Sequence, residues 1–305
     1  MRWLIVLLGI RLAEAAAQGI WIDTDASIGA PWREVDDAFA LVLAFHSPEL
    51  RIAGISTTYG NAGLKRTTSV TRDLVRRFGA AAGLNESDVF AGVASRRESG
   101  RGTAANQALA RALRKERLTY VALGPLTNLA AFIRQHPGPS RRLERVIFVG
   151  GKTPGKALTF GPTGALRIHD ANVVKDPDAV RTLLNANIPI VLAPVETSSH
   201  LVLERERWRL LRHRGQAARF LQKKTGLWIW FWTGVVRHRG GPLFDSLAVM
   251  LAAKPEIVPT EERYAWVDSS GEFTATRRRL AGSHPVRFAV GPTTESEQLA
   301  VERLR

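Results

Sequence analysis

The strongest constraint in this chain is an alternation of strand-like and helix-like runs along most of its length. Gly19 to Ile22 is a short apolar run closed by Asp23-Thr24-Asp25. Val35 to His46 carries apolar residues at helical spacing, and Ser47-Pro48 stops it. Leu50 to Thr57 is rich in β-branched residues and reads as a strand. The same logic predicts helices over Thr67 to Gly79, Leu126 to Gln135, Asp176 to Asn187, Leu203 to Leu221 and Leu243 to Ala253. Strands are expected over Leu118 to Leu123, Arg145 to Val149, Ile188 to Val195, Tyr264 to Asp268 and Arg287 to Val290. Ala94 to Asn106 is polar and reads as a surface loop. Alternating β and α elements pack as a mostly parallel sheet flanked by helices. The expected fold is therefore α/β, a single large domain with a Rossmann-like open sheet. In such sheets ligands sit outside the carboxyl ends of the strands, so the loops after each strand should carry the chemistry.

Composition narrows the chemistry. The 305 residues contain no cysteine, which removes disulfide scaffolds, thiolate zinc sites and cysteine nucleophiles. Any metal must be held by oxygen or histidine ligands. No apolar run reaches the ~18 residues of a membrane span. Lys and Arg number 43 against 28 Asp and Glu, a formal charge of +15, which raises a nucleic-acid partner. The basic pairs are scattered, at Arg76-Arg77, Arg96-Arg97 and Arg141-Arg142, without interleaved aromatics, so nucleic acid is not the expected partner. Residues 1–17 have the layout of an export leader: Met1-Arg2, an apolar stretch from Trp3 to Ile10, and Ala15-Ala16-Ala17. The folded domain is then expected over 18–305, in the periplasm or secreted if the leader is cleaved, and in the cytoplasm otherwise.

The most informative residues are acidic. Asp23 and Asp25 end an apolar strand, and Asp36-Asp37 open an apolar helix. Helix capping explains one such aspartate. It does not explain four carboxylates around one strand-to-helix turn, because close like charges repel by several kcal/mol unless a cation neutralises them. Oxygen-only ligation points to Ca²⁺ or Mg²⁺. Tyr59-Gly60-Asn61 follows another strand, Asp170-Ala171-Asn172 lies further on, and Asp245 precedes an apolar helix. Carboxylates and amides together suit a polyhydroxylated ligand. For Asn61 and Asn172 alone, left-handed turn backbone is the plainer alternative.

At these residues the chain resembles the inosine-uridine preferring nucleoside hydrolases. The resemblance runs in order through Asp23-Thr24-Asp25, Asp36-Asp37-Ala38-Phe39-Ala40-Leu41, Thr57-Thr58-Tyr59-Gly60-Asn61, the Gly-Pro-Leu-Thr-Asn-Leu-Ala run at 124–130, Gly150-Gly151, Asp170-Ala171-Asn172 with Asp176-Pro177, and Asp245 before Leu247-Ala248-Val249. It implies a Ca²⁺ ion held by Asp25, Asp37, Asp245 and the main-chain oxygen of Leu123, with Asp23 in support. It implies Asp25 as general base on the attacking water. Asp36, Asn61 and Asn172 would grip the ribose, and Asp170 its 5′-hydroxyl. The implied reaction is hydrolysis of a ribonucleoside, or a related N-riboside, to base and ribose. The implied partner is a small nucleoside, and the implied assembly a homo-oligomer, dimer or tetramer.

Three departures from the family pattern stand out. Ala26 to Val35 is an insert between Asp25 and Asp36. It can bulge outward, since loop length costs little free energy, or cover the pocket, with Trp32 against a base. Phe244 occupies the place where purine-active members carry a histidine, and Phe cannot protonate a leaving base; His238 and His169 are the substitute candidates. Gly164 stands where an asparagine is usual. Trp228, Trp230 and Trp232 alternate in one apolar run, which fits a core or subunit interface. The other reading makes Trp228 and Trp232, with Phe244, contact the base. A catalytically weak nucleoside or sugar binder on the same fold is the alternative function.

Overall fold

The computed structural model describes residues 17–29 and 33–305. Trp32 and all but the last residue of the expected leader lie outside them. Strands β1 (Gln18–Thr24), β2 (Leu50–Thr57), β3 (Val89–Ala91), β4 (Leu118–Ala122) and β5 (Leu143–Val149) come first. Then follow β6 (Leu158–Phe160), β7 (Leu166–Ile168), β8 (Ile190–Ala193), β9 (Val202–Glu204), β10 (Gly240–Pro242), β11 (Thr260–Val267), β12 (Phe273–Thr276) and β13 (His284–Ala289). Nine of them form one sheet in the order β12-β11-β13-β8-β5-β4-β1-β2-β3. From β3 to β13 the pairs are parallel, while β11 runs antiparallel to both neighbours. The expected α/β architecture is present. β6 with β7 and β9 with β10 are small separate pairs.

Alternation along the strands splits the core into two layers. Ile20, Ile22, Val121, Ile147 and Val149 face one side. Trp21, Tyr120, Ala122, Val146 and Phe148 face the other. On the first side lie two helices, Asp36–Phe45 and Phe244–Ala253, in which every residue is buried. Surface helices show one apolar stripe. These two are apolar all round except at their first turns, which carry Asp36, Asp37 and Asp245.

The chain leaves β1 towards β2 and β3 on one side, then returns to lay β4, β5 and β8 on the other. The reversal lies between β1 and β4, the position at which open α/β sheets bind ligands. Leu123 N donates to Asp23 O there at 2.8 Å, and Thr58 N donates to Thr24 O at 3.0 Å.

Two expectations change. The helix predicted over Leu203 to Leu221 is broken into β9, a helix Arg205–Leu210, a helical turn and a second helix Gln216–Lys224. Pairing of Val202–Glu204 with the distant Gly240–Pro242 overrides the local periodicity. The loop predicted over Ala94 to Asn106 contains a helical turn at Arg96–Glu98 and the start of the helix Ala104–Lys115. Thr103 caps that helix, its hydroxyl accepting from Asn106 N at 3.1 Å. Among the described residues no helix is long and apolar enough to cross a membrane.

Candidate active site

The first turns of the two buried helices meet. Carboxylate oxygens of Asp36, Asp37 and Asp245 lie within 4.8 Å of one another. None of the three caps its helix: the N-caps are Val35 and Leu243, without side-chain capping bonds. Side-chain N-capping therefore does not account for them, although all three lie in first helical turns, where the dipole favours acidic groups. Asp25 joins the group through shared donors. Its N–H donates to Asp37 Oδ1 at 3.2 Å, and Thr24 Oγ1 donates to the same oxygen at 2.5 Å. Asn61 bridges the two, with Nδ2 3.0 Å from Asp37 Oδ2 and 3.5 Å from Asp25 Oδ1, while its N–H donates to Asp25 Oδ2 at 2.6 Å. The turn that delivers Asn61 presses on Asp25 so closely that a Cβ on Gly60 would fall 1.7 Å from Asp25 Oδ2. Only glycine fits there.

Burial dominates the electrostatics. It pushes the Asp25, Asp36, Asp37 and Asp245 carboxyls above their ordinary range. Repulsion from Asp37 adds to the shift at Asp25, and Asp36 and Asp37 add to it at Asp245. Lys175 and the Asn61 N–H offset part of it at Asp25. Such a cluster fits a divalent cation: hard oxygen donors, buried, and destabilised by their own charge. Asp23 sits behind the cluster. Its Oδ1 accepts from Ser56 Oγ at 2.6 Å and from Asn128 Nδ2 at 2.7 Å, and burial raises its pKa to about 6. Asn128 and Ser56 are supporting residues that sequence reasoning missed.

A cavity of about 360 Å³ opens beside the cluster. Asp36, Asn61, Asp170, Asn172 and Asp245 line it, with Leu123. Asn172 Nδ2 donates to Leu123 O at 2.7 Å and to Val149 O at 3.0 Å. Neither Asn61 nor Asn172 has left-handed backbone, since Asn187 and Arg237 are the non-glycine residues with positive φ among those described. Left-handed turn backbone therefore does not account for these two asparagines, both of which line the cavity. Asp170 accepts from Gly151 N at 2.6 Å and from Val173 N at 3.3 Å, yet burial raises its pKa to about 6.

Phe231, Trp232 and Phe244 form an aromatic part of the wall. Trp228 and Trp232 fall four residues apart on a helix that passes into a π turn, so both turn inward and Trp230, 49% exposed, turns out. Trp228 does not line the cavity. Its ring packs on Phe39 at 5.7 Å, and its Nε1 donates to Glu34 Oε2 at 3.0 Å. His169 lines the cavity, whereas His238 binds Gly240 O and packs against Trp232 and Phe160. Gly164, at φ +63°, belongs to the turn between β6 and β7 and does not line the cavity.

The described ends of the insert between Asp25 and Asp36 pack inward. Ala26, Ser27, Ile28 and Val35 are buried, and Ser27 Oγ donates to Glu34 O at 2.8 Å. Glu34 lines the cavity. Burial and the neighbouring Asp37 raise its pKa to about 7, against the opposing pull of the Trp228 N–H. Sequence reasoning missed Glu34, although a carboxylate two residues from Asp36 was a visible signal.

A family model described as inosine-uridine preferring nucleoside hydrolase matches residues 20–296. The chain is similar to the pyrimidine-specific ribonucleoside hydrolase RihA of Citrobacter koseri, at 26% identity over 276 residues, covering 78% of this chain and 82% of that one. It superposes on a plant nucleoside hydrolase, PpNRh1, with a TM-score of 0.78 at 20% identity, covering 94% of this chain and 98% of the other. The purine-preferring ribonucleoside hydrolase from Gardnerella vaginalis gives a TM-score of 0.76 at 21% identity, with the same coverage of 94% and 98%. The two superpositions establish the fold.

Proposed function

The chain belongs to the inosine-uridine preferring nucleoside hydrolase family, and from that premise we propose that it is a Ca²⁺-dependent hydrolase splitting ribonucleosides into free base and ribose. The observation that carries the reading is the convergence of Asp36, Asp37 and Asp245 at the sheet's reversal point, beside a cavity with a polar and an aromatic part. Asp25, Asp37, Asp245 and the Leu123 carbonyl would hold the ion. When bound, Ca²⁺ supplies a binding point for the ribose diol and makes a nearby water easier to deprotonate.

The protein's own residues do the rest. Asp25 accepts the proton of the attacking water. The water oxygen bonds to the anomeric carbon, the C–N bond breaks, and its electron pair leaves with the base. The transition state resembles an oxocarbenium ion, which the surrounding carboxylates stabilise. Asp36, Asn61 and Asn172 orient the ribose hydroxyls, and Asp170 takes the 5′-hydroxyl. Asn61 and Asn172 are held by bonds to the carboxylates and to main-chain carbonyls, so their orientation is set before substrate arrives. Phe244 donates no proton to the leaving base. His169 lines the cavity and is the candidate we favour for that role, while the His238 ring is bonded to Gly240 O.

Reducing-sugar release from a nucleoside panel, with and without Ca²⁺, in wild type and Asp25→Ala, tests the reading. Release that needs Ca²⁺ and Asp25 is expected. Binding of a nucleoside without cleavage would instead favour the binder reading, which the missing histidine motivates. We also propose a homo-oligomer joined through the exposed Leu227, Trp230 and Val235; sizing of Trp230→Glu against wild type tests it.

A further inference from the structure

We propose that the cavity takes N-ribosides whose base is a cationic aromatic ring, a pyridinium or an N7-alkylated purinium, with the Glu34 carboxylate facing the positive charge of the ring. The inference rests on the nucleoside-hydrolase reading above and names a substrate class for that site.

Charge is spread unevenly over this molecule. The chain as a whole carries +15, yet the described wall of the cavity contains Glu34, Asp36, Asp170 and Asp245 and neither lysine nor arginine. Asp36 and Asp245 meet Asp37 at the metal end, and Asp170 is held by the Gly151 and Val173 N–H groups. Glu34 is the carboxylate that remains beside the aromatic rings. Trp228 Nε1 donates to its Oε2 at 3.0 Å, and the Trp232 indole N–H is in hydrogen-bond contact with the same carboxylate. These neutral donors orient the group without neutralising it. Among the described residues no Lys, Arg or His forms an ion pair with Glu34. A buried carboxylate without a counter-cation is unfavourable. A cationic ligand would supply one.

The rings are suited to the same ligand. Phe231, Trp232 and Phe244 line the cavity with Glu34. Phe231 and Trp232 meet at 5.8 Å and 75°, a corner and not a stack, and Phe160 backs Trp232 and Phe244 edge-on. The faces of aromatic rings attract cations. A carboxylate beside such rings favours a flat cation over a neutral ring of the same size.

This substrate class also answers the loss of a proton donor at Phe244. A neutral base takes the electron pair of the C–N bond as an anion unless a proton reaches it. A cationic base needs no proton. The water oxygen bonds to the anomeric carbon, the proton of the water passes to Asp25, and the electron pair of the breaking C–N bond neutralises the ring nitrogen. The base leaves uncharged. Neutral bases with an amino group could donate an N–H to Glu34, but they keep the need for a proton.

The test compares nicotinamide riboside, uridine and p-nitrophenyl β-D-ribofuranoside as substrates for wild type and Glu34→Gln, with Ca²⁺ present. The nitrophenyl riboside is neutral, and its nitrophenolate also leaves without a proton, so it separates ring charge from leaving-group activation. For wild type, kcat/KM for nicotinamide riboside should exceed that for uridine at least about tenfold. Glu34→Gln keeps the shape of the side chain and removes its charge. In that variant the ratio of nicotinamide riboside to nitrophenyl riboside should fall at least about tenfold, as for the loss of one partner of a buried ion pair. Equal losses on the two would overturn the proposal and make Glu34 a structural residue. So would wild type that prefers uridine to nicotinamide riboside, a result that needs no folded variant. Wild type that cleaves none of the three would overturn the nucleoside-hydrolase reading, and this proposal with it.

Discussion

The carboxylate end of the cavity is held by polar hydrogen bonds from residues at the strand ends, both main-chain and side-chain, whereas the aromatic wall is held by ring packing between distant segments. At the carboxylate end, Asp25 N–H and Thr24 Oγ1 both donate to Asp37, and Asn61 N–H donates to Asp25. Thr24 ends β1, Asp25 follows it, and Asn61 lies in the turn after β2. The aromatic wall lies on a helix that loosens into a π turn at Phe231–Val235. Trp232 there meets Phe160 edge-on at 5.1 Å, and Phe160 meets Phe244 at 6.2 Å. Irregular helical turns of this kind recur at functional sites. The two ends thus divide the labour. A polar hydrogen-bond network fixes the carboxylates, and packed aromatic rings shape the opposite wall of the cavity.

If that division is right, the two ends should fail differently. Asp37→Asn should lower kcat/KM by roughly 10³-fold, the scale of losing a preorganised electrostatic group. In the metal-free protein it removes a buried charge that faces Asp25, Asp36 and Asp245 but also one of the two oxygens that accept from Thr24, Asp25 N–H and Asn61, so the melting temperature should change little. A variant that keeps wild-type kcat/KM would break the assignment. Removing divalent ions with a chelator should abolish activity, with Ca²⁺ restoring it. Added Ca²⁺ should stabilise the fold by about 3–4 kcal/mol at a hundred to a thousand times its Kd, read from denaturant melts.

The two ends also differ in how far the sequence announces them. Asp23, Asp25, Asp36 and Asp37 sit within one strand-to-helix passage, and Asp245 opens a helix as uniformly apolar as the first. Local pattern is enough to find such residues, and the alternating sheet puts them at one end. Glu34 and Trp228 are separated by most of the chain, so no local pattern joins them. Nor does periodicity show that Val202–Glu204 leaves its helix to pair with Gly240–Pro242. In both cases a contact distant in sequence decides the structure, and a window of neighbouring residues does not contain it. The Trp228, Trp230, Trp232 alternation illustrates the same limit. It has the period of a strand, but the chain there is helical, so Trp228 and Trp232 share a face and Trp230 leaves it.

Asp170 probes how strongly the polar end is held against its own charge. Its carboxyl is raised from 3.8 to about 6 because burial outweighs the Gly151 and Val173 N–H groups. The folded state therefore binds the proton more tightly than the unfolded chain. The stabilisation is full below about pH 4 and is lost as pH rises through about 6. The loss is at most roughly 3 kcal/mol for a shift of about two units. Asp170→Asn cannot titrate. Between pH 4 and pH 7 its unfolding free energy should change more favourably than that of wild type by up to that amount, measured in urea. Identical pH profiles would mean that Asp170 ionises as freely in the fold as outside it.

Trp232→Phe makes the smallest and most selective change. An aromatic ring is kept, but the larger indole and its N–H are lost, in a residue that is 1% exposed and lines the cavity. Aromatic contacts contribute about 0.5–1.5 kcal/mol beyond burial, which corresponds to roughly two- to tenfold in binding. The expected result is a rise in KM for uridine of that size with kcat changed less, because a contact made equally in ground and transition states acts on binding. The Ca²⁺-induced stabilisation should persist, since no carboxylate of the cluster touches this change. A kcat loss as large as that of Asp37→Asn would show the opposite: that the aromatic wall takes part in bond breaking and that the two ends of the cavity act as one unit.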